Sequence, residues 1–304
     1  MPRLLVTGHA GFVGTTLLRD SSRFVPGPEW EIVTLPSGID ITSPSLVPAV
    51  AISRPDAVLH LAALTSVRES FAEPDRYFSV NFGGTLNLLR ALRAAEFSGR
   101  LVFVGSGDCY GWVPAEELPI REDRPLRPRS PYSVSKIAAE ALCYQWSQTE
   151  GLDVVLARAF NHFGPGQDQR FVVADFARQI ARIRAGLQDP CIVVGDIDIT
   201  RDFTDVRDVI AAYFALFDSG RGGEIYNVGS GIERPVRDML EAMIALAGVS
   251  VSIAVDPRRV RRGEQGRVVA DISRIRTKTG WSPRIDVRQS LDDTLSYWIE
   301  RTST

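Results

Sequence analysis

The sequence predicts an α/β chain: a doubly wound parallel sheet with a smaller, discontinuous C-terminal α/β part. Three observations carry this. Short β-rich apolar runs alternate with helical stretches from the N-terminus, the pattern of a parallel sheet covered on both faces. The first run ends in glycines at 8, 11 and 14 and leads directly into a helix. After about Phe160 the alternation gives way to shorter, mixed pieces and Gly/Pro-rich loops.

In chain order, residues 3–8 (RLLVTG) read as a buried strand and residues 12–19 as the helix after it. EIVTL, AVLHLA, LVFVG and DVVLARAF are further strands, with helices over 75–96 and 132–150. NHFGPGQDQ is a loop, followed by a helix over 171–185. A helix over 206–217 and a strand over 224–229 read as a return to the first layer, and 286–300 as a terminal amphipathic helix. The 304 residues suit two domains of roughly 150 each. The expected division is 1–160, with about 200–228 returning to it, and 161–304.

Composition excludes several classes. Thirty-five basic against 37 acidic side chains leave a net charge of −2, so neither nucleic acid nor an anionic membrane is expected as a partner. Cys109, Cys143 and Cys191 show neither metal spacing nor a disulfide framework, and His9, His60 and His162 form no local zinc motif. No metal is expected. No run approaches about 18 uninterrupted apolar residues, and the N-terminus opens on a strand without a signal-peptide pattern. A cytoplasmic location is expected.

The glycine turn gives the first functional signal. Gly8 permits a tight turn, Gly11 admits a pyrophosphate close to the backbone, and Gly14 lets the helix pack closely. The helix N-terminus adds free N–H groups and partial positive charge. The expectation is a Rossmann-type dinucleotide site. The second strand ends TLPSG, with neither a carboxylate to repel a 2′-phosphate nor an arginine to bind one. The reading leans to NADP(H), with NAD(H) left open. Asp40 reads either as an acceptor for the adenine amino group or as a turn cap.

The second signal is SPYSVSK. Tyr132 and Lys136 share one helical face. A phenol with an ordinary pKa of about 10 needs roughly 4 kcal/mol of differential stabilisation to work as an acid–base group near neutrality. One cation about 4 Å away at an effective dielectric near 20 supplies that amount. Lys136 is the expected cation.

TGHAGFVG, HLAAL, VNFGGTLNLL, GSGDCYG and SPYSVSK, in that order, resemble the extended short-chain dehydrogenase/reductase family acting on nucleotide sugars. The likeness continues through RAFNHFGPGQ, TRDFTDVRDV, YNVGSG, RRGE and TGWSPRI, nearly the whole chain. It implies a proton-transfer triad of Ser106, Tyr132 and Lys136, the lysine also holding the nicotinamide ribose. It implies cofactor contacts at Gly8, Gly11, Phe12, Val13, Gly14, Asp40, Ile41, Leu61, Ala62, Ala63 and Asn81, besides Tyr132 and Lys136. The implied reaction is NAD(P)H-dependent reduction of the C4 ketone of a GDP-linked 4-keto-6-deoxy-hexose, giving GDP-rhamnose or its C4 epimer. The alternatives are GDP-mannose 4,6-dehydration, another epimerase or dehydratase of this family, or a protein that binds the cofactor without chemistry. Dehydration needs an extra acid and base. The matching positions here are Asp108, one methylene shorter than the usual glutamate, and Gly107, with no side chain.

The resemblance also places substrate contacts at Ser66, Ser106, Asn161, Phe171, Val172, Arg201, Arg261 and Glu264. Arginines suit a diphosphate because the guanidinium fork binds two oxygens at once. Taken alone, Asn161 reads as a turn residue, Phe171 and Val172 as core, and RRVRRGEQGR as a solvated basic loop. The helices over 75–96 and 132–150 carry apolar residues beyond one stripe, Leu142, Tyr144 and Trp146 among them. The expectation is a homodimer.

Overall fold

The computed structural model describes residues 1–19, 30–260 and 265–303. Its centre is a six-stranded sheet in the order Ile225–Val228, β5 (Asp153–Ala159), β4 (Arg100–Ser106), β3 (Ala57–His60), β1 (Arg3–Thr7), β2 (Glu31–Thr34). Every pairing in it is parallel. Both faces are covered, which is why these strands read as apolar runs. The helices Phe12–Arg19 and Val206–Ser219 pack on one face, and Leu46–Ser53, Gly84–Ala94 and Pro131–Thr149 on the other.

The chain steps outward from β1 to β2, then crosses back to place β3 on the other side of β1. That reversal opens a crevice at the carboxyl ends of β1 and β3, where open α/β sheets bind ligands. The strand Ile225–Val228 lies beside β5, with Ile225 opposite Leu156. A third core gathers the helices Val172–Arg184, Val236–Ala247 and Val287–Ser303 around Phe163, Phe176 and Ile192.

One expectation needs correction. Residues 75–96 do not form a single α-helix: the helix Pro74–Tyr77 passes into a π-helical segment, Phe78–Gly83, before Gly84–Ala94 resumes α geometry. Such wide turns cluster at functional sites because they re-aim one side chain. Here that side chain is Asn81.

Candidate active site

The glycine turn joins β1 to the helix Phe12–Arg19. Gly8 has φ +71°, and a Cβ there would lie 2.6 Å from the Ala62 nitrogen. A Cβ on Gly14 would lie 2.5 Å from the His9 Cα. Only glycine lets the turn approach β3 and the helix approach the turn this closely. The result is a cradle at the crevice with a helix N-terminus aimed into it, a fit for a dinucleotide pyrophosphate. Phe12, Val13 and Leu61 back the turn against the core. Ala62 and Ala63 follow β3 half-buried, and Ile41, buried, packs under Gly84. Asp40 Oδ1 accepts from the Thr42 amide at 2.8 Å and its hydroxyl at 2.6 Å, which hold the carboxyl below its ordinary range. These are the bonds of a turn cap.

Behind the cradle lies a network that sequence reasoning missed. His60, fully buried, sits between Thr7 and Thr85. Thr85 Oγ1 donates to the Asn81 carbonyl at 2.6 Å, so it accepts from His60 Nε2–H at 3.0 Å. The other ring nitrogen, Nδ1, then accepts from Thr7 Oγ1 at 2.7 Å. Asn81 continues the path. Its Oδ1 accepts from Leu64 N–H, and its Nδ2 donates to the Leu64 carbonyl and to Ser135 Oγ at 2.9 Å. Ser135 in turn donates to the Tyr132 carbonyl at 2.8 Å. One neutral imidazole therefore ties β1, β3 and the π-helical segment to the helix bearing Tyr132. Burial, with Lys136 nearby, pushes His60 down to about 3. His60→Leu strands the Thr7 and Thr85 partners and is expected to destabilise the protein by about 1–3 kcal/mol, read from the midpoint of urea unfolding. Acid should weaken the wild type too. The unfolded chain protonates this histidine below its ordinary value of about 6.5 while the fold resists, so stability falls with pH through the interval from about 6.5 to about 3.

Ser106 ends β4, its Oγ accepting from the Asp108 amide at 3.2 Å. The Tyr132 phenol is buried in the first turn of the helix Pro131–Thr149, near enough to the Ser106 hydroxyl to be influenced by it. Ser130 caps that helix through its Oγ, which accepts from the Ser133 amide. The Tyr77 ring stands edge-on to the Tyr132 ring, centroids 6.4 Å apart. Lys136, one turn on, is 5% exposed, its ammonium 4.7 Å from the Phe103 ring centre.

The expected lowering of the Tyr132 phenol by Lys136 does not hold for the protein by itself. Burial pushes this phenol up, the Asp108 carboxylate pushes it further, and the Ser106 hydroxyl opposes them. Burial also lowers Lys136, to about 8. Tyr132 is thus held protonated at neutral pH, the state a proton donor needs.

Below the catalytic turn, the Tyr110 hydroxyl donates to Asn227 Oδ1 at 2.6 Å. Arg158 binds Glu140 through two hydrogen bonds of 2.9 and 2.6 Å while facing the Tyr110 ring. Sequence reasoning missed this support as well. Cys109 is buried, its thiol pushed up to about 12, and is packed and not reactive. Asp108 is exposed. Gly107 faces the Phe160 ring, whose carbons would lie 3.0–3.1 Å from a Cβ there.

The remaining predicted contacts scatter around this centre. Ser66 Oγ caps the helix Val67–Ala72. Asn161 is exposed, its carbonyl accepting from the Thr204 amide. Phe171 is half-buried just before the helix Val172–Arg184, and Val172 is exposed rather than core. Arg201 donates from Nη1 to the carbonyls of Thr200 and Gln265 at 2.7 and 2.8 Å, which places it beside the segment following RRGE. Arg261 and Glu264 lie outside the described residues. His162 was not anticipated here. Its ring lies parallel to Phe12, centroids 6.1 Å apart, and its Nδ1–H donates to the Phe160 carbonyl at 3.0 Å.

A sequence model of the GDP-mannose 4,6 dehydratase family matches residues 37–294. The chain is 46% identical to the GDP-6-deoxy-D-mannose reductase of Pseudomonas aeruginosa over 98% of each sequence. It is 30% identical to a dTDP-glucose 4,6-dehydratase of Streptomyces niveus, over 97% of this chain and 92% of that one. The solved structure of RMD from Pseudomonas aeruginosa complexed with NADPH superposes with a TM-score of 0.93 at 45% identity, over 99% of this chain and 100% of that one. With a parallel sheet, a glycine cradle and a Ser–Tyr–Lys centre already in place, these matches leave one assignment: the chain belongs to the extended short-chain dehydrogenase/reductase family.

Proposed function

We propose that this chain is an NADPH-dependent 4-ketoreductase that converts a GDP-4-keto-6-deoxy-hexose to GDP-rhamnose or its C4 epimer. The carrying observation is the buried Tyr132 phenol, held protonated close to Ser106, beside a position 107 that carries no side chain and is crowded by the Phe160 ring. Reduction needs one proton donor, and Tyr132 is one. Dehydration needs further groups, and a side chain on residue 107 would crowd the Phe160 ring. The Pseudomonas aeruginosa reductase, similar from end to end, supports the same choice, and its NADPH complex supports the cofactor.

In this reading residues 1–160, with about 200–228, hold the dinucleotide and 161–304 the nucleotide sugar. Gly8, Gly11 and Gly14 hold the pyrophosphate, and Lys136 the nicotinamide ribose. When bound, the reduced nicotinamide supplies the hydride for C4. Ser106 donates a hydrogen bond to the C4 oxygen and stabilises negative charge as it develops. Tyr132 keeps its proton until that oxygen becomes a base stronger than phenolate, then transfers it. Lys136, one turn along the same face, favours the phenolate left behind. Arg201 and Arg261, with Asn161 and Glu264, bind the GDP moiety. Trp146 is buried in the core and Leu142 packs against it, but Phe78, Val134 and Tyr144 leave exposed apolar surface on segments 75–96 and 132–150, which supports a homodimer through them.

The test is incubation with GDP-4-keto-6-deoxy-mannose and each reduced cofactor, following nicotinamide absorbance and reading the C4 configuration by NMR. Oxidation of NADPH matched by a 4-hydroxy product is expected. Turnover of GDP-mannose with no net cofactor change would assign the dehydratase reaction instead. Sedimentation at micromolar concentration tests the dimer.

A further inference from the structure

The carboxyl ends of β3, β4 and β5 stand side by side. Neighbouring strands are about 4.8 Å apart, so the segments that leave β3 and β5 emerge on either side of the end of β4, where Ser106 stands. A contact joins those two segments. Arg170, in the loop after β5, donates from Nη1 to Glu69 Oε1 at 2.8 Å. Glu69 lies in the first turn of the helix Val67–Ala72, after β3.

Both ends of this bridge are anchored. The Arg170 backbone N–H and Nε both donate to Asp168 Oδ1, at 2.8 and 2.9 Å, which aims the guanidinium. The loop's root is fixed by buried Gln167, whose Nε2 donates to the His162 carbonyl at 2.8 Å. On the other side the Glu69 amide donates to Ser66 Oγ at 3.3 Å. The Ser66 carbonyl accepts from the Tyr77 hydroxyl at 2.7 Å, and the Tyr77 ring meets the Tyr132 ring.

We propose that Arg170 and Glu69 form a releasable strap across the substrate mouth, one that holds loop 164–171 in the shape that receives the sugar. The ligand's identity rests on the reductase reading, but the strap does not. The two side chains are 58% and 48% exposed, so the pair is a weak one that opens readily, as a mouth used in every turnover requires. Holding a loop in its receptive shape lowers the apparent dissociation constant in inverse proportion to the fraction of molecules in that shape.

The experiment compares Glu69→Gln, Arg170→Gln and the double variant. Each single change is expected to raise KM for the keto sugar about two- to fivefold at nearly unchanged kcat. Each should also speed amide hydrogen exchange across 164–171 by a similar factor. The double variant should be no worse than either single one, because the same interaction is lost. Exchange needs no substrate, so it reads the strap even if the wild type fails to reduce the keto sugar, a failure that counts against the reductase reading alone. Unchanged exchange in either single variant overturns the strap. So does an unchanged KM in a variant that turns the substrate over, or additive effects in the double.

Discussion

Tyr132→Phe is expected to lower kcat by about a hundred- to ten-thousandfold, the usual contribution of a positioned general acid. KM for the sugar nucleotide and for NADPH should change little, because the ring remains and only the proton is lost. The ring keeps its edge-on contact with Tyr77, and Ser106 Oγ keeps the Asp108 amide. Unfolding free energy should therefore shift by no more than about 1 kcal/mol, the net worth of one hydrogen bond. The comparison is steady-state NADPH oxidation beside a thermal melt. Full turnover in a folded Tyr132→Phe variant removes the proton donor and with it the proposed chemistry.

Much of this site is legible in the residues because its parts obey local rules. Glycines at 8 and 14 are demanded by close backbone approaches, and a glycine turn after a strand is visible without coordinates. Tyr132 and Lys136 follow from helical periodicity. The rest depends on contacts between distant segments. His60 meets Thr7 across 53 positions and Thr85 across 25, separations that no periodicity encodes. Arg158 did leave a trace: a charged residue inside an apolar strand run needs a buried partner, and Glu140 is that partner. The interruption of 75–96 was invisible because FSVNFG, though it holds no strong helix former, sits between helical runs and a π-helical turn has no compositional mark of its own. It widens because Asn81 is pulled to Leu64 and Ser135. The electrostatic expectation failed for a simpler reason. Sequence supplies the neighbouring ammonium but not the burial, and burial of Tyr132 outweighs it.

Lys136 joins function and stability with opposite signs. It is one of only two lysines among 35 basic side chains, the other being Lys278. A chain that uses arginine nearly everywhere for positive charge, at buried Arg158 too, keeps lysine at the buried position one turn from Tyr132. Arginine is bulkier, planar and always charged, whereas an ammonium is compact and titratable. Burial lowers Lys136 from 10.5 to about 8, so between those values the unfolded chain binds the proton and the fold does not. Stability therefore rises with pH over that window, and the penalty for holding the charge is complete below about 8. A shift of that size corresponds to about 3 kcal/mol. Lys136→Met keeps the apolar stem and removes the charge. It is expected to stabilise the protein at neutral pH by up to about 3 kcal/mol, to abolish the gain in stability between about pH 8 and 10.5, and to lower kcat by about a hundredfold or more. In the wild type, activity should fall as pH is raised past about 8, when the ammonium loses its proton. Urea unfolding across pH, set beside the pH profile of kcat, checks all of these. A Lys136→Met protein that is less stable than the wild type at neutral pH, or equally active, contradicts the assignment of a strained, working cation to this position.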